Sequence, residues 1–297
     1  MKTSLDCIPC FIRQALEAAR LVSPVAAVHE RMLREVLHWA TDMDMRQPPP
    51  LMAQRIHRFL RETAGREDPY RDAKAQQNRL AMNLLPELKA EIEAASDPLT
   101  MAVRIAIAGN VIDMGINTKV TESSVRDSFR QALAEPFFGE QNGFHKAIRD
   151  ARQILYLADN AGEIVFDRLL IEQLVPERVT VAVRGAPILN DATMVDALAV
   201  GLSEIVEVID NGSDAPGTVL ADCSQEFRRR FASADLILAK GQGNFETLSE
   251  QPDNIVFLFK AKCPVIAEHA RVPLGAHVLM WSLGGFADSG KGSHARI

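Results

Sequence analysis

The sequence predicts an α/β protein with an all-helical amino-terminal half and a carboxyl-terminal half built on a mainly parallel sheet. Two observations predict this fold class. Apolar residues recur at helical spacing from Ile8 to about Ile148, and five short apolar runs follow, most of them separated by stretches with a helical pattern. Strands that alternate with helices are typical of parallel sheets with crossover helices.

The amino-terminal half is predicted to be helical because its apolar residues lie three and four positions apart, as in Ile8, Phe11, Ile12 and Ala15. Turn residues followed by proline divide it into helices of ordinary length. These breaks lie at Ser23-Pro24, at Pro48-Pro49-Pro50, between Gly65 and Pro69, and at Asp97-Pro98.

The carboxyl-terminal half contains five predicted buried strands: ILYLADN, VTVAVRG, IVEVIDN, LILAKGQ and IVFLFKAK. The change of period falls between Gly139 and Asp150, which predicts a helical domain over residues 1–148 and an α/β domain over residues 149–297. In such sheets, ligands bind where the carboxyl ends of the strands emerge. The side chains expected to gather there are Asp159, Asn160, Arg184, Asp210, Lys240 and Lys260.

Composition narrows the class of partner. The 297 residues include 33 basic and 39 acidic ones, and the net charge of -6 offers no general attraction for a nucleic-acid backbone. No apolar stretch reaches the roughly 18 to 20 residues that cross a bilayer, and the amino terminus lacks the apolar segment of a secretory signal. We therefore expect a cytoplasmic protein that binds neither nucleic acid nor membrane, in an oligomeric state that the sequence leaves open.

Cys7 and Cys10 form a C-x-x-C pair at the start of an amphipathic helix and are a candidate thiol site. The pair would serve as a redox dithiol, or as half of a zinc site that Cys223 and Cys263 complete. A second C-x-x-C is absent and no strand precedes the pair, so a structural or incidental pair is the alternative.

Acidic and amide side chains follow the first two predicted strands. Asp159 and Asn160 end the first, before small residues open a helix at Glu163. Their oxygens are hard ligands suited to a divalent ion. Asn190 and Asp191 follow the second strand, and if the two strands are neighbours Asp191 becomes a third ligand. The alternative is that these residues only cap helices.

Two lysines follow the fourth and fifth predicted strands. Lys240 begins KGQGNFE, in which Gly241 and Gly243 would let backbone N–H groups approach an anion. Lys260 ends the fifth strand and is the better-placed cation for a phosphate, unless it is simply solvated. Neither a Walker motif nor a dinucleotide fingerprint is present.

Asn110 and Asp113 lie three residues apart on one face of an apolar helical segment. Buried polar groups need partners, so this pair either bonds within the core or closes the site from the helical domain. The histidines lack metal-ligand spacing and no G-x-S-x-G motif occurs, which disfavours histidine-zinc and serine-nucleophile chemistry.

Taken together, six segments resemble the metal-dependent damage-control phosphatase family, once called domain of unknown function eighty-nine and related to the acidic-residue methyltransferase. They are DPYRDAK, AGNVIDMG, LADNAGEIVFD, RGAPILNDAT, KGQGNFETL and FLFKAK. The likeness is closest to the prokaryotic branch, which carries an amino-terminal C-x-x-C. The resemblance implies a helical domain joined to a Rossmann-like α/β domain, and hydrolysis of small phosphomonoesters.

By position, the resemblance places the family's metal-binding Asp-Asn pair on Asp159 and Asn160, and its later metal aspartate on Asp191. The family's substrate loop corresponds to Gln242 through Glu246, and its phosphate-binding lysine corresponds to Lys260. Eukaryotic members carry that lysine in an Arg-Thr-x-Lys motif, whereas the residues before it here are Phe257, Leu258 and Phe259.

The expected function is a metal-dependent phosphatase acting on sugar phosphates, nucleotides or related damaged phosphometabolites, with Mn, Co, Ni or Mg as the ion. Its nucleophile is either water activated by the ion, with Asp113 or Glu163 as the base, or Asp159 itself. The alternatives are an S-adenosylmethionine-dependent methyltransferase and a non-catalytic phosphometabolite-binding protein. The side chains and loop expected to bind substrate and phosphate are Asn110, Glu163, Lys240, Gly241, Gln242, Gly243, Asn244 and Lys260.

Overall fold

Helices make up most of the first half of the chain in the computed structural model, which describes residues 1–110, 122–139, 141–251 and 254–282. All four predicted breaks fall at helix boundaries, and two of them include the prolines that begin the next helix. Gly65 ends one helix in the left-handed conformation, with φ of 61°, and the Asp97 side chain caps another by accepting a hydrogen bond from the Thr100 backbone. The helices are α1 (Cys7–Val22), α2 (Ala26–Thr41), α3 (Pro49–Ala64), α4 (Arg71–Ala94), α5 (Pro98–Ala108) and α6 (Glu122–Ala134).

Strands and helices alternate in the second half, as predicted. All five apolar runs form strands, β2 to β6, so the predicted α/β class is confirmed. Two short strands, β1 and β7, were not predicted. The elements are β1 (Phe137–Gly139), α7 (Gln141–Asp150), β2 (Ile154–Leu157), α8 (Glu163–Ile171), β3 (Val179–Val183), α9 (Met194–Ala199), β4 (Glu207–Asp210), α10 (Gln225–Ser233), β5 (Leu236–Lys240), α11 (Gly241–Leu248), β6 (Ile255–Lys260), α12 (Pro264–Ala270) and β7 (His277–Trp281).

Within the described residues, the sheet has seven strands in the order β1-β7-β6-β5-β2-β3-β4. Strands β2 to β6 are parallel, and β7 pairs antiparallel with β6. The chain leaves β2 towards β3 on one side and later returns to β5 on the other, so the strand order reverses between β2 and β5. Ligand sites of open α/β sheets form at such a switch point.

Alternate side chains of each central strand enter two different cores. Ile154 and Tyr156 of β2 pack in the core shared with α4, α5 and α8, whereas Leu155 and Leu157 pack in the core of α10 to α12. Helices α1 to α3 have a separate cluster. The domain boundary near residue 148 stays a prediction. No helix among the described residues is long and apolar enough to cross a membrane.

Candidate active site

Two loops that follow β2 and β3 form the centre of the candidate site. Asn160 and Asp191 pair as an antiparallel bridge, and the Ala192 N–H donates to the Asp159 carbonyl at 2.8 Å. These backbone bonds hold the loops side by side and bring together the side chains of Asp159, Asn160 and Asp191, all of them buried. The caps of α8 and α9 are Gly162 and Thr193, so neither aspartate serves as a helix cap.

Arg184, the residue after β3, links the two acids. Its Nε donates to Oδ2 of Asp191 at 2.7 Å, and its Nη2 lies 3.7 Å from Oδ1 of Asp159. The side chain is 2% exposed, so these charges interact with little screening by water. The guanidinium therefore holds both carboxylates towards one point.

Glu163, the first residue of α8, lies behind Asn160. Its Oε1 accepts hydrogen bonds from the Nδ2 groups of Asn160, at 2.8 Å, and Asn110. The Asn160 Nδ2 also donates to Oδ2 of Asp159 at 2.9 Å. Because two carboxylates accept from the same NH₂ group, the Asn160 amide oxygen is the end left to face a cation. Asn110 reaches the site from the helical half, while Asp113 lies outside the described residues.

The KGQGN segment begins α11 and packs against the loop that follows β2. Gly241 has φ of 79°, and a Cβ added there would lie 1.9 Å from Oδ2 of Asp159. A Cβ added at Gly243 would lie 2.3 Å from the carbonyl oxygen of Pro216. Asn244 is fully buried, with its Nδ2 donating to the Lys240 carbonyl at 2.7 Å. The KGQGN segment thus meets Asp159 through backbone, and Asn244 holds the segment together.

Gln242 lies farther round α11. Its Nε2 donates to Oε1 of Glu246 at 2.8 Å, and its Oε1 accepts from the Lys262 backbone at 3.2 Å. Burial raises the pKa of Glu246 to about 7, although the bond from Gln242 opposes this shift. The loop predicted to contact substrate is thus tied to the segment after β6.

Lys240 does not face an external phosphate. Its side chain is 1% exposed, its Nζ donates to Oδ1 of Asp167 at 2.5 Å, and Oε2 of Glu163 lies 3.6 Å away. Burial would lower the pKa of Lys240, but Asp167 and Glu163 outweigh it and the pKa is raised. Successive side chains of β5 point to opposite faces of the sheet, and Lys240 lies on the face that α8 covers. The lysine therefore lies beneath the site.

Lys260 and Lys262 have different surroundings. The Lys260 ammonium donates to both carboxylate oxygens of Glu135, at 2.9 and 2.7 Å. Lys262 is exposed, and its charge opposes the rise that burial causes in the pKa of Asp159. The sequence reasoning missed Lys262, although FKAK offers two lysines two positions apart.

Negative charge dominates the buried part of the site. Among the described residues, the buried ionisable side chains of the site are Asp159, Glu163, Asp167 and Asp191 against Lys240 and Arg184, which leaves two carboxylates without a buried counter-charge in that set. Burial, then Glu163 and Asp191, raises the pKa of Asp159 well above its ordinary value, while Arg184 and Lys262 partly oppose this. Burial raises the pKa of Asp167 to about 6 despite Lys240.

The residues present fit a divalent cation. Two carboxylates and one amide oxygen converge, and hard oxygen donors suit Mg²⁺ or Mn²⁺. One doubly charged ion would also balance the two uncompensated acids. The described residues contain no group of three His, Cys, Asp or Glu side chains placed to share an ion, so the fit depends on Asn160 beside Asp159 and Asp191.

The C-x-x-C pair lies at the amino end of α1, with Cys7 half-buried, Cys10 exposed and neither in a disulfide. Burial raises the pKa of the Cys7 thiol, and Glu246, Cys263 and Cys10 add to the shift. A raised pKa disfavours the reactive thiolate. The pair's role as a thiol site stays a prediction.

Helix α4 supports the acidic loops through residues that the sequence reasoning missed. Asn78 Oδ1 accepts from the Gly162 N–H at 2.7 Å, and its Nδ2 donates to Asp196 at 3.1 Å. The buried Lys74 pairs with Asp68 and Asp196. The available signal was polar residues at i and i+4 on an otherwise apolar face, which places Lys74 and Asn78 on one side of the helix.

Known proteins match this chain over nearly its whole length. A family profile described as the damage-control phosphatase ARMT1-like domain matches residues 3–278. The chain is 35% identical over 281 residues to a damage-control phosphatase of Archaeoglobus fulgidus, covering 93% of this chain and 97% of that protein. It is 33% identical over 287 residues to the damage-control phosphatase PH1575 of Pyrococcus horikoshii, covering 94% and 98%. The crystal structure of a DUF89 family protein from Pyrococcus horikoshii superposes with a TM-score of 0.85 at 31% identity, over 95% of this chain and 99% of that one.

Proposed function

Because this chain belongs to the ARMT1-like damage-control phosphatase family, we propose that it hydrolyses phosphomonoesters of small metabolites with a divalent ion held by Asp159, Asn160 and Asp191. The proposed substrates are sugar phosphates, nucleotides or related damaged phosphometabolites, in the cytoplasm. The observation that carries the proposal is the meeting of these three oxygen-bearing side chains at the switch point of the sheet.

The bound ion would polarise a phosphoryl oxygen and offset the charge that develops during transfer. The protein supplies the orientation. Arg184 directs the two aspartates, and the Gly241 backbone covers Asp159 from the α11 side. Lys262 is an exposed cation whose charge acts on Asp159, and it is the first candidate to hold an anionic phosphate. Lys260 remains the second candidate for that role.

The surroundings of Glu163 favour a supporting role over that of a base. Asn110 and Asn160 both donate to Oε1, and the Lys240 ammonium lies near Oε2. A general base needs an oxygen within reach of the proton that it removes. Asp113 remains the other proposed base, and direct attack by Asp159 remains the other proposed route.

The central experiment measures release of phosphate from an aryl phosphate after the protein has been stripped with a chelator. We expect activity to disappear and to return with Mn²⁺, Co²⁺ or Ni²⁺. Asp159→Ala and Asp191→Ala should each lower kcat by about 100-fold or more, since charge stabilisation dominates phosphoryl transfer. Glu207→Gln is the matched control, because this exposed carboxylate lies at the amino end of β4.

Three results would contradict the proposal. Turnover that survives the chelator, or that persists in Asp159→Ala, would remove the ion or its ligand from the reaction. Binding of phosphometabolites without phosphate release under any ion would favour a non-catalytic binding protein. A panel of sugar phosphates, nucleotides and phosphopantetheine compounds then identifies the preferred substrate.

A further inference from the structure

A buried ion pair lies directly beneath the candidate active site. The Lys240 ammonium contacts Asp167, and the Tyr156 hydroxyl donates to the same Oδ1 of Asp167 at 2.8 Å. Each of these three side chains is at most 1% exposed. The Oδ2 atom of Asp167 has no hydrogen-bond partner among the described residues.

Stability alone does not account for this pair. Desolvating two charges costs several kcal/mol per ion, and well-packed apolar residues of similar volume often give equal or greater stability. The single ammonium of Lys240 also lies near a second carboxylate, that of Glu163, at 3.6 Å. The buried ammonium of Lys240 therefore attracts the Glu163 carboxylate from the interior side of the site.

Glu163 links Lys240 to the candidate metal ligand Asn160. Its Oε2 faces Lys240, and its Oε1 accepts from the Asn160 Nδ2 at 2.8 Å. The acceptor at Oε1 determines which end of the Asn160 amide is turned inward. With the NH₂ group bound by Glu163 and Asp159, the carbonyl oxygen is presented to the ion.

We propose that Lys240 is a positioning residue which, with Asp167 behind it, holds Glu163 so that the Asn160 amide oxygen faces the metal ion. This inference rests on the proposed metal-dependent function. Removing a residue that hydrogen-bonds to a metal ligand commonly lowers metal affinity or activity by about 10- to 100-fold. Lys240 therefore acts on metal affinity without touching the substrate.

The test compares Lys240→Met with the double variant Lys240→Met/Asp167→Asn. The single variant leaves the Asp167 carboxylate buried without its ammonium, which destabilises the protein. The double variant removes both charges and should regain a melting temperature near that of the wild type. Binding of Mn²⁺ is measured directly from the electron paramagnetic resonance signal of the free ion, which needs no turnover.

We expect the double variant to fold and to bind Mn²⁺ about 10- to 100-fold more weakly than the wild type. At saturating Mn²⁺ its KM for the aryl phosphate should match that of the wild type, because the substrate contacts are intact. Glu163→Gln should weaken Mn²⁺ binding similarly, and combining it with the double variant should add little further loss. Tyr156→Phe, which leaves the ammonium in place, should bind Mn²⁺ as the wild type does.

Wild-type Mn²⁺ affinity in the folded double variant would overturn the positioning role, and so would fully additive effects with Glu163→Gln. Failure of the wild type itself to bind any divalent ion would instead remove the proposed function. The two failures are therefore distinguishable in the same measurement.

Discussion

Gly241 is the residue whose lack of a side chain most directly shapes the site. Its φ of 79° is in the region that favours glycine, and its α-carbon lies against the Asp159 carboxylate. A Cβ added there would lie 1.9 Å from Oδ2, well inside van der Waals contact. The close approach allows backbone at the start of α11 to cover a candidate metal ligand.

Gly241→Ala is therefore expected to displace Asp159 and to lower kcat/KM by about 100-fold or more, as small displacements of reacting groups can do. Gly65→Ala is the matched control. Gly65 also has positive φ, at 61°, but nothing lies within 4 Å of an added Cβ. It should show only the backbone strain of roughly 1 kcal/mol, with normal turnover. Equal activity in the two variants would contradict the close contact.

The two lysines at the end of β6 give a second prediction at the residue scale. Lys262→Met should lower kcat/KM for an aryl phosphate by about 10-fold or more, because it removes an exposed cation that acts on Asp159. Lys260→Met should lose less activity, since the Lys260 ammonium is partly buried against Glu135 whereas Lys262 is exposed. Steady-state kinetics at saturating Mn²⁺ compare the two. A larger loss in Lys260→Met would assign the phosphate to Lys260 instead.

Residues whose positions follow from strand exits were the easiest to predict from the sequence. Asp159 and Asn160 directly follow the apolar run of β2, whereas Asp191 lies near the end of the segment between β3 and α9 and meets them through its backbone bridge to Asn160. The environment of Lys240 was harder, because it depends on which face of β5 is covered by α8. Lys262 was missed because its distance from Asp159 depends on how the chain turns after β6, which no local pattern indicates.

At the scale of elements, α3 is joined to the loop between β4 and α10. Both Arg58 and Arg61 donate to the Asp214 carboxylate, and Gln54 donates to it at 2.7 Å. The same loop contacts α11, where Gly217 packs on the Gly243 carbonyl. Through the loop between β4 and α10, the arginines of the helical half thereby help to place the KGQGN segment, whose Gly241 covers Asp159.

Asp214 gives this junction a pH dependence. Burial would raise its pKa, but the bonds from Arg58, Arg61 and Gln54 outweigh burial and lower the pKa to about 2. An unfolded aspartate titrates near pH 3.9. Since the folded pKa is the lower one, the stabilisation is complete above about pH 4 and is lost as the pH falls towards about 2.

Asp214→Asn should therefore lower the free energy of unfolding by about 1–2 kcal/mol at pH 7, after allowance for the half-exposed Arg58. The difference from the wild type should shrink below about pH 4, as measured by urea unfolding across that range. Asp44→Asn is the control, because Arg46 lowers the pKa of Asp44 to about 2 in a fully exposed pair, which contributes little. A deficit that stays constant down to pH 2.5 would exclude this origin.

The elements that sequence patterns did not predict are β1 and β7, the two strands at one end of the sheet. β1 has three residues, and β7 has five and runs antiparallel to β6. A strand of three residues carries too few alternations to stand out from a loop. β7 pairs with β6, and β1 pairs with β7, so each strand depends on the backbone groups that its neighbour offers for pairing, which is a long-range condition. The five apolar strands, β2 to β6, were recognisable without such a condition.

At the scale of the whole molecule, the fold collects acidic groups at one place in its interior. Asp159 and Asp191 come from loops on neighbouring strands, and Glu163 and Asp167 come from successive turns of α8. Within the part of the chain that the structure describes, two of these four charges lack a buried counter-charge, which disfavours the folded state. Functional sites commonly retain such destabilising groups, and removing them stabilises the protein.

This imbalance predicts how the melting temperature depends on divalent ions. Mn²⁺ at about 100 times its dissociation constant should add roughly 2.7 kcal/mol to the wild type and raise its melting temperature by about 5 °C. Asp159→Asn removes one uncompensated charge while keeping a side chain of the same shape. Its metal-free form should therefore melt above the metal-free wild type, and Mn²⁺ should no longer raise its melting temperature.

Thermal unfolding followed by circular dichroism, with chelator or with Mn²⁺, measures both effects, and Glu207→Gln should reproduce the wild-type rise. If metal-free Asp159→Asn melts below the wild type and still gains stability from Mn²⁺, the acids are balanced within the protein and the ion binds elsewhere. If the expected pattern is found, the destabilising charge that the fold carries is what the metal ion compensates.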